Sequence, residues 1–311
     1  MLIAVTGSNG FIGKHLCNYL KKIGYDVRPI QRVKEKDAFQ INDLKDNNDW
    51  ERVLKGSDIV IHCASKVHSF EKESEKSKLS YEEINVLATE KIAKEAVKLG
   101  IKKFIYLSTI KVYGEKTLAG KPIKNDSILN PMDTYSLSKL KAEEKLRYIS
   151  SNNGLKIIII RTPLVYGPLV GANFLSLIRL VNLQIPLPLK NIANKRSIIF
   201  IGNLVDFISK CISNSSADNR SFIVSDSYSL STKEIIVLIS KSLKKKLFLF
   251  KFPITILRFL GFLTKNQTKV DRIISNLEVD PKYTFNFLKW KPPYSTEEGI
   301  NLTISWFKKN F

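Results

Sequence analysis

A chain of 311 residues with 44% hydrophobic content is long enough to bury the core of one α/β domain and a smaller second one. Every apolar stretch is shorter than the roughly 18 to 20 residues that cross a bilayer, and no secretion signal follows Met1, so we expect a cytoplasmic protein without a membrane span. The three cysteines lie far apart without metal-ligand spacing, which argues against a disulfide framework and against a metal site.

The net charge of +21 raises the question of a nucleic-acid or membrane partner. The lysines are scattered, and the densest run, residues 244 to 246, is short. The alternating Phe248, Phe250 and Phe252 that follow are typical of the buried face of a strand, so we predict no nucleic-acid partner. Residues 253 to 263 are more hydrophobic than their surroundings, and we favour a core helix or an interface there over a membrane surface.

The first predicted elements are a strand at residues 2 to 5, a glycine turn and a helix. Gly7 lets the chain leave the strand sharply, Gly10 removes the side chain that would block a pyrophosphate, and Gly13 lets helix and strand pack closely. The start of the helix then offers free amides and a positive dipole end to a phosphate. This pattern predicts a dinucleotide site formed by Gly7, Asn9, Gly10, Phe11, Ile12 and Gly13.

Strand and helix signals then alternate, with strands at 26–30, 59–62, 104–107 and 156–160 and helices at 82–99 and 135–148. The alternation predicts an α/β fold with a Rossmann-type doubly wound parallel sheet and a site at the carboxyl ends of its strands. Beyond residue 166 the elements shorten and prolines punctuate them. We therefore predict an NAD(P)-binding domain at 1–165, to which 197–225 returns as one more strand and helix, and a smaller substrate domain at 166–196 and 226–311.

The end of the second strand bears on the cofactor. Enzymes that use NAD commonly carry an acidic residue there for the ribose hydroxyls, whereas this chain has Gln31 and Arg32. An arginine at this position can pair with a 2′-phosphate, which favours NADP, with NAD as the alternative. A merely solvated Arg32 is the other interpretation.

A tyrosine and a lysine four residues apart, Tyr135 and Lys139, fall on one face of the predicted helix at 135–148. A phenol with a pKa of about 10 becomes a base near neutral pH only when nearby positive charge stabilises its anion, and Lys139 with a cationic nicotinamide would supply that charge. Thr109, at the carboxyl end of a predicted strand, can hydrogen-bond the reacting oxygen and is chosen over Ser108. By itself the pair also fits an ordinary amphipathic helix. The histidines His15, His62 and His68 are not expected to be catalytic, and His62 is interpreted as a satisfied core residue.

Six ordered pieces of the chain resemble the extended short-chain dehydrogenase/reductases of the NAD-dependent epimerase/dehydratase family: the glycine turn and residues 62–65, 85–89, 107–109, 135–139 and 161–168. The resemblance implies that Thr109, Tyr135 and Lys139 form the catalytic triad and that Lys139 also touches the nicotinamide ribose. It implies further cofactor contacts from Asp43, Leu44, Ala64, Pro163 and Val165 and substrate contacts from Asn173 and Arg196. Family members are usually homodimers that pair the helices at 82–99 and 135–148.

One departure narrows the implied reaction. The 4,6-dehydratases of this family follow the catalytic threonine with Asp-Glu, whereas this chain has Ile110 and Lys111, so elimination of water lacks its proton-transfer groups. Hydride transfer at C4 of a UDP-hexose or UDP-N-acetylhexosamine remains, by an epimerase or by a 4-keto-sugar reductase. Residues 108–115 resemble the UDP-glucose 4-epimerase-like subgroup, which includes such reductases, and the missing acid after the second strand makes us favour the reductase. The rivals are a non-catalytic NAD(P)-binding regulator and a basic nucleic-acid binder.

Overall fold

Seven parallel strands form the central sheet of the computed structural model, which describes residues 1–67 and 74–311. They are β1 (Leu2–Thr6), β2 (Asp26–Gln31), β3 (Phe39–Gln40), β4 (Ile59–His62), β5 (Lys103–Thr109), β6 (Lys156–Thr162) and, after two strands outside this sheet, β9 (Arg220–Ile223). The spatial order is β3-β2-β1-β4-β5-β6-β9, which reverses direction between β1 and β4. The predicted doubly wound fold is confirmed, and the reversal places a crevice at the carboxyl ends of β1 and β4.

Near-continuous apolar runs make these strands, because both faces of a parallel sheet are covered by helices. Ile3, Ala4 and Val5 are fully buried, as are the central residues of β4, β5 and β6. The pairing is in register at the functional edge: Thr6 lies opposite His62 and Thr109 opposite Thr162. The strands therefore deliver their last residues to one edge.

The helices flank the sheet on both faces. In chain order they are α1 (Phe11–Lys22), α2 (Trp50–Leu54), α3 (Glu75–Tyr81), α4 (Ala88–Lys98), α5 (Thr134–Asn153), α6 (Ala172–Asn182), α7 (Ile201–Ser213), α8 (Thr232–Leu243), α9 (Ile254–Leu263), α10 (Gln267–Ile274), α11 (Lys282–Leu288) and α12 (Thr296–Asn310). A π-helical turn, Glu82–Leu87, joins α3 to α4, and 3-10 turns occupy Ile110–Tyr113 and Ser215–Ala217. The segment predicted as one helix at 82–99 is thus continuous, but it begins as a π-helical turn and continues as the α-helix α4.

One apolar cluster links the sheet to the carboxyl-terminal helices. It contains sheet residues such as Ile3 and Ile160, residues of α7 and α8, and Ile300 and Phe307 of α12. A second cluster on the opposite face packs α2, α4 and α5 against the same strands. The part of the chain after residue 226 therefore packs against the sheet through a shared apolar core.

The predicted strand at residues 197–201 forms, but it does not join the main sheet. Its residues, β8 (Ile198–Phe200), pair in parallel with β7 (Leu164–Tyr166) in a separate two-stranded sheet. Pro163 separates β6 from β7, and because proline has no backbone N–H it interrupts a ladder at that point. The strand that returns to the main sheet is β9, which pairs with β6.

Two of the predictions for residues 248–263, the buried strand face and the core helix, are wrong because the apolar side chains face outward, and the interface predicted as the other possibility for residues 253–263 stays a prediction. Leu187 and Leu249 form a bridge in which the amide of Leu187 donates to the carbonyl of Phe248 and that of Phe250 to the carbonyl of Leu187. This pairing turns Leu249 inward, so the predicted burial of Phe248 and Phe250 is not found and both rings are exposed. In α9 only Gly261 is buried, so this segment is not a core helix.

Within the described ranges, 1–67 and 74–311, no helix is both long and apolar enough to cross a membrane.

Candidate active site

The glycine turn forms a cradle that has no space for side chains. Gly7 has a left-handed φ of 68°, and a Cβ there would lie 2.8 Å from the backbone of Ala64. A Cβ on Gly13 would lie 2.1 Å from the carbonyl oxygen of Gly7. Gly10 precedes α1 and has no side chain to cap it, so the first amides of the helix stay available to an anion. The residues present therefore fit a dinucleotide pyrophosphate, and Ala64 closes the cradle from the end of β4.

The end of β2 presents two different side chains. Gln31 is buried, where its carbonyl oxygen accepts from Ser8 Oγ at 2.9 Å and its amide donates to the carbonyl of Val33 at 3.0 Å. Arg32 is exposed, and its guanidinium Nη1 lies 3.0 Å from Asp43 Oδ2. Two residues predicted to contact the adenosine half of the cofactor, Arg32 and Asp43, are thus brought together, and Leu44 is buried beside them.

Thr109 is the last residue of β5 and is buried at the edge where β5 and β6 end. Its hydroxyl accepts a hydrogen bond from the amide of Lys111 at 3.3 Å, which caps the following 3-10 turn. The hydroxyl hydrogen remains free to be donated to a ligand oxygen. Strand end and cap together fix where that hydroxyl lies.

Tyr135 stands in the first turn of α5, and its ring lies 6.3 Å from that of Tyr81, centroid to centroid. Burial, followed by the negative charge of Asp133 and the neighbouring Tyr81, raises the pKa of Tyr135 well above its usual value. The phenol therefore keeps its proton near neutral pH until a cation compensates these effects.

Lys139 is buried one turn further along α5, with its Nζ 4.1 Å from the centroid of the Tyr106 ring. Burial lowers the pKa of Lys139 to about 7, partly opposed by Glu143 and Cys63. Burial and the negative charge of Glu143 raise the pKa of Tyr106, and Tyr135 raises it further. Lys139 thus lies against the Tyr106 ring, one helical turn after Tyr135.

His62 packs against the Tyr106 ring, and hydroxyl groups engage both of its ring nitrogens, so it is not available for catalysis. It stacks on Tyr106 at 5.9 Å, with Nδ1 2.7 Å from Thr6 Oγ1 and Nε2 3.0 Å from Thr89 Oγ1. Burial, with Lys139 as the second cause, lowers the pKa of His62 to about 3, which keeps the ring neutral. Its interpretation as a satisfied core histidine is confirmed by these contacts, whereas His68 lies outside the described residues.

Asn85 is a residue whose role the sequence did not indicate. It is buried in the π-helical turn, where its Oδ1 accepts from the amide of Lys66 at 2.7 Å. Its Nδ2 donates to the carbonyl of Lys66 at 3.0 Å and to Ser138 Oγ at 2.9 Å. Asn85 thereby ties the loop after β4 to the helix that carries Tyr135 and Lys139. π-helical turns often occur at functional sites, so the wide turn around this buried amide is a local signal of its role.

A buried ion pair, Arg161 with Glu143, lies beneath the same helix and was also missed. Arg161 of β6 donates through Nε to Glu143 Oε1 at 3.1 Å and through Nη2 to Oε2 at 2.5 Å. Ser108 Oγ donates to the same carboxylate at 2.5 Å, and Arg161 Nη1 donates to Tyr113 OH at 2.5 Å. This network explains why Ser108, next to Thr109, is turned away from the open edge of the sheet.

Lys111 stands at the second of the two positions where the dehydratases of the resembled family carry carboxylates. Its Nζ lies 2.7 Å from Asp133 Oδ2 and 2.8 Å from Glu115 Oε1. Asp133 caps α5 by accepting from the amide of Ser136 at 2.6 Å. Burial would raise the pKa of Asp133, but the hydrogen bonds from Lys111 and Ser136 outweigh it and lower that pKa to about 2. Lys111 therefore offsets the negative charge that raises the pKa of Tyr135.

Two arginines, Arg196 before β8 and Arg272 on α10, form a second group of candidate site residues. Arg196 Nη1 donates to the carbonyl of Ser275 at 3.2 Å, and burial together with the positive charge of Arg272 lowers the pKa of Arg196 to about 10. Two guanidinium groups that repel each other suit a diphosphate. Leu277, two residues after Ser275, packs in one cluster with Ile110, next to Thr109. Arg272, on α10, had no sequence motif to mark it.

The remaining predicted contacts take different positions. Pro163 is buried at the sheet edge after Thr162, and Val165 of β7 packs against the main core. Asn173 is exposed in the first turn of α6, while the following Phe174 is buried. Among the described residues, no group of three or more His, Cys, Asp or Glu side chains is arranged to hold a metal ion.

Comparisons with known proteins agree with this geometry. The model of the NAD dependent epimerase/dehydratase family matches residues 3–225. A UDP-glucose 4-epimerase from Vibrio cholerae is 39% identical over 98% of this chain and 95% of its own length.

Solved structures share the fold at lower identity. A UDP-glucuronic acid 4-epimerase from Bacillus cereus, solved with UDP-glucuronic acid and NAD, has a TM-score of 0.81 at 21% identity, with full coverage of both chains. A UDP-glucose 4-epimerase from Thermotoga maritima, solved with UDP-glucose, has a TM-score of 0.80 at 21% identity and 99% coverage of both chains. The predicted kind of protein, an enzyme of this group, is confirmed: the chain belongs to the NAD dependent epimerase/dehydratase family.

Proposed function

We propose that this protein is a UDP-sugar 4-epimerase that inverts C4 of a UDP-hexose or UDP-N-acetylhexosamine with a retained NAD. The observation that supports the proposal is that Lys139, one turn after Tyr135 on α5, is buried against Tyr106 of β5, the strand that ends at Thr109. The choice of epimerase over the reductase that the sequence favoured rests on the relative from Vibrio cholerae, which spans almost the whole chain at 39% identity.

The chemistry follows from the side chains. NAD, when bound, supplies the acceptor and donor of hydride at C4. Tyr135 takes the proton of the C4 hydroxyl and later returns it, and Thr109 donates a hydrogen bond to the same oxygen. Lys139 stabilises the phenolate of Tyr135, which burial and Asp133 otherwise disfavour. The buried Glu143–Arg161 pair and the Asn85 amide hold α5 so that this proton transfer keeps its geometry.

In this proposal the nucleotide is bound by the wall of the crevice that Arg196 and Arg272 form. Arg196 and Arg272 grip the diphosphate, and Asn173 at the start of α6 contacts the nucleotide. The fork of a guanidinium reaches two phosphate oxygens at once, which anchors the substrate while the sugar is free to turn. Such turning is necessary in an epimerase because hydride must return to the opposite face of C4.

The test uses the purified protein without added reductant. It is incubated with UDP-glucose or UDP-N-acetylglucosamine, and products are separated and identified by proton NMR. We expect at least one substrate to be converted to an equilibrium mixture with its C4 epimer, and the cofactor released on denaturation to be NAD. NADPH consumption with a UDP-4-keto-6-deoxyhexose, together with no epimerisation, would establish the reductase instead. Cofactor binding without either reaction would favour a regulator.

We infer NAD rather than NADP, which reverses the preference that Arg32 gave from sequence alone. A guanidinium already paired with Asp43 at 3.0 Å offers little net charge to a 2′-phosphate. Removing that carboxylate frees the arginine, so Asp43→Asn is expected to raise the affinity for NADP relative to NAD by roughly tenfold. Arg32→Ala in the same background is expected to cancel the gain. Isothermal titration with both cofactors measures it, and an unchanged ratio in Asp43→Asn would contradict the inference.

A homodimer in the cytoplasm completes the proposal. The helices that the resemblance pairs across a dimer carry exposed apolar residues: Leu87 at the end of the π-helical turn, and Leu137 and Tyr148 on α5. Sedimentation velocity of the wild type is expected to give a dimer, and Leu137→Lys is expected to give a monomer because it places a charge in the interface.

A further inference from the structure

Helix α9 turns its most hydrophobic face toward solvent. Ile256, Phe259, Leu260 and Leu263 recur at helical spacing and are all exposed, with Phe259 and Leu263 each 59% accessible. The inward side of the helix is occupied by Ile254, which packs on the main core, and by Gly261, against which Val270 of α10 packs closely. The helix is therefore held in place on one side, while the other side has apolar residues that the core does not use.

The exposed apolar area continues into the preceding segment. Phe248 and Phe250 are both exposed, and the ring of Phe250 lies 6.1 Å from that of Phe252, just before α9. Backbone hydrogen bonds to Leu187 hold this segment in place. We call Phe248, Phe250 and the outward residues of α9, with the cations between them, the basic apolar surface.

The charge of this surface has one sign. Residues 244–265 contain six cations and no acidic residue: Lys244, Lys245, Lys246, Lys251, Arg258 and Lys265. Lys245 donates to the carbonyl of Asn182, and Arg258 Nε lies 3.9 Å from Asp271 Oδ1 on α10. Lys244, Lys246, Lys251 and Lys265 are exposed and lie in the same stretch of chain as the exposed apolar side chains. Exposed lysines interspersed along the chain with exposed phenylalanines and leucines match the boundary between anionic head groups and acyl chains.

We propose that the basic apolar surface binds the protein peripherally to a bilayer that contains anionic phospholipid, with α9 lying along the membrane plane. Phe259, Leu260 and Leu263 enter the acyl boundary, and the exposed lysines contact the head groups. A second copy of this chain is a poorer occupant, because pairing this face with itself would bring two sets of six cations together. The ten residues of α9 are too short to cross a bilayer, so the contact is interfacial.

The experiment is flotation of the full-length protein with vesicles of phosphatidylcholine alone or with 30% phosphatidylglycerol, roughly the anionic fraction that such contacts sense. We expect the wild type to float with the anionic vesicles and to be released by high salt. Phe259→Ser/Leu263→Ser is expected to lower the bound fraction by roughly tenfold, since two inserted side chains are lost. The matched control is Leu118→Ser/Ile128→Ser, which changes two apolar residues that are at least as exposed and lie outside residues 244–265.

The charge is tested by Lys244→Gln/Lys246→Gln/Lys251→Gln, for which we also expect at least a roughly tenfold loss. Its control is the same change at the exposed Lys21, Lys22 and Lys156. Thermal unfolding and activity without vesicles show that each variant is folded.

Three outcomes would overturn the proposal. One is a wild type that does not float. Another is a Phe259→Ser/Leu263→Ser variant that floats like its control, since binding would then use charge alone. The third is self-association that Phe259→Ser/Leu263→Ser abolishes in the absence of vesicle binding, which would make the face an interface between copies.

Discussion

The two walls that we propose for the crevice are built in different ways. The wall that holds Thr109, Tyr135 and Lys139 rests on strand ends and on buried networks, including the Arg161–Glu143 pair and the Asn85 amide. The wall that holds Arg196 and Arg272 rests on isolated bridges and on the short helix α10, beside the exposed α9. A proton transfer needs atoms held to a fraction of an ångström, whereas anchoring a diphosphate tolerates movement. The comparison predicts that changes on the first wall affect kcat and changes on the second affect KM.

The largest effect is expected for Tyr135→Phe, which removes the only proposed proton carrier of the first wall. We expect kcat to fall by roughly a thousandfold or more, with UDP-sugar and NAD binding retained. Steady-state kinetics and equilibrium titration measure the two quantities. Tyr148→Phe, at the exposed end of the same helix, is the control and should leave both unchanged. Full turnover by Tyr135→Phe would show that the first wall does not carry out the proton transfer.

The second wall is tested by Arg272→Ala. Loss of one of two guanidinium groups should raise the KM for the UDP-sugar by roughly 10- to 100-fold and change kcat little. NAD affinity should stay the same, because α10 is not part of the glycine cradle. Arg258→Ala, on the neighbouring α9, provides the matched control. A fall in kcat at unchanged KM would mean that the two walls do not divide the work as we describe.

Lys139→Met tests how much stability the protein loses by burying a charged lysine in the first wall. Burial lowers the pKa of Lys139 to about 7 from an ordinary 10.5, so the unfolded chain binds more protons between these values. Wild-type stability should therefore rise with pH across that window, and the deficit should be complete below pH 7. We expect the variant to be inactive but more stable by about 2 kcal/mol near pH 6.5, with the gain fading towards pH 10.

Urea unfolding at several pH values measures this difference. The control, Lys141→Met, removes a half-exposed lysine paired with Glu82 on the same helix and should change stability by less than about 0.5 kcal/mol. A destabilised Lys139→Met at pH 6.5 would show that the lysine is held without a burial penalty.

The smallest effect is expected for Lys111→Met, which leaves the charge of Asp133 uncompensated. Asp133 already raises the pKa of Tyr135, so its unshielded carboxylate should raise that pKa further and move the pH profile of kcat/KM to higher pH. We expect a loss of roughly three- to tenfold at neutral pH and recovery in alkaline solution. The exposed Lys124→Met is the control. A uniform loss at every pH would indicate a purely structural role for the pair.

The difference between the walls also explains how much could be predicted from sequence. The glycine turn, Thr109 and the Tyr135–Lys139 spacing are local patterns, and the alternation of strands and helices predicted the sheet that carries them. The Asn85 clamp, the Glu143–Arg161 pair and Arg272 join residues distant in sequence, so no local period marks them. Composition left a core helix and an interface both open for α9, because it records how apolar a segment is but not which side its neighbours cover.

The π-helical turn at Glu82–Leu87 also affects how this segment tolerates changes in length. Such a turn holds one residue more per turn than an α-helix does, so a single deletion there that spares Asn85 would leave a regular helix with both flanks close to their present orientation. Each residue of an α-helix advances by about 100°, so a single deletion within α4 would instead rotate everything before it by that angle relative to the rest of the helix. Tyr81, whose ring now lies 6.3 Å from that of Tyr135, would then be carried to another side of the helix. The same loss of one codon is therefore expected to be tolerated in the π-helical turn and to displace an aromatic neighbour of Tyr135 when it falls in α4.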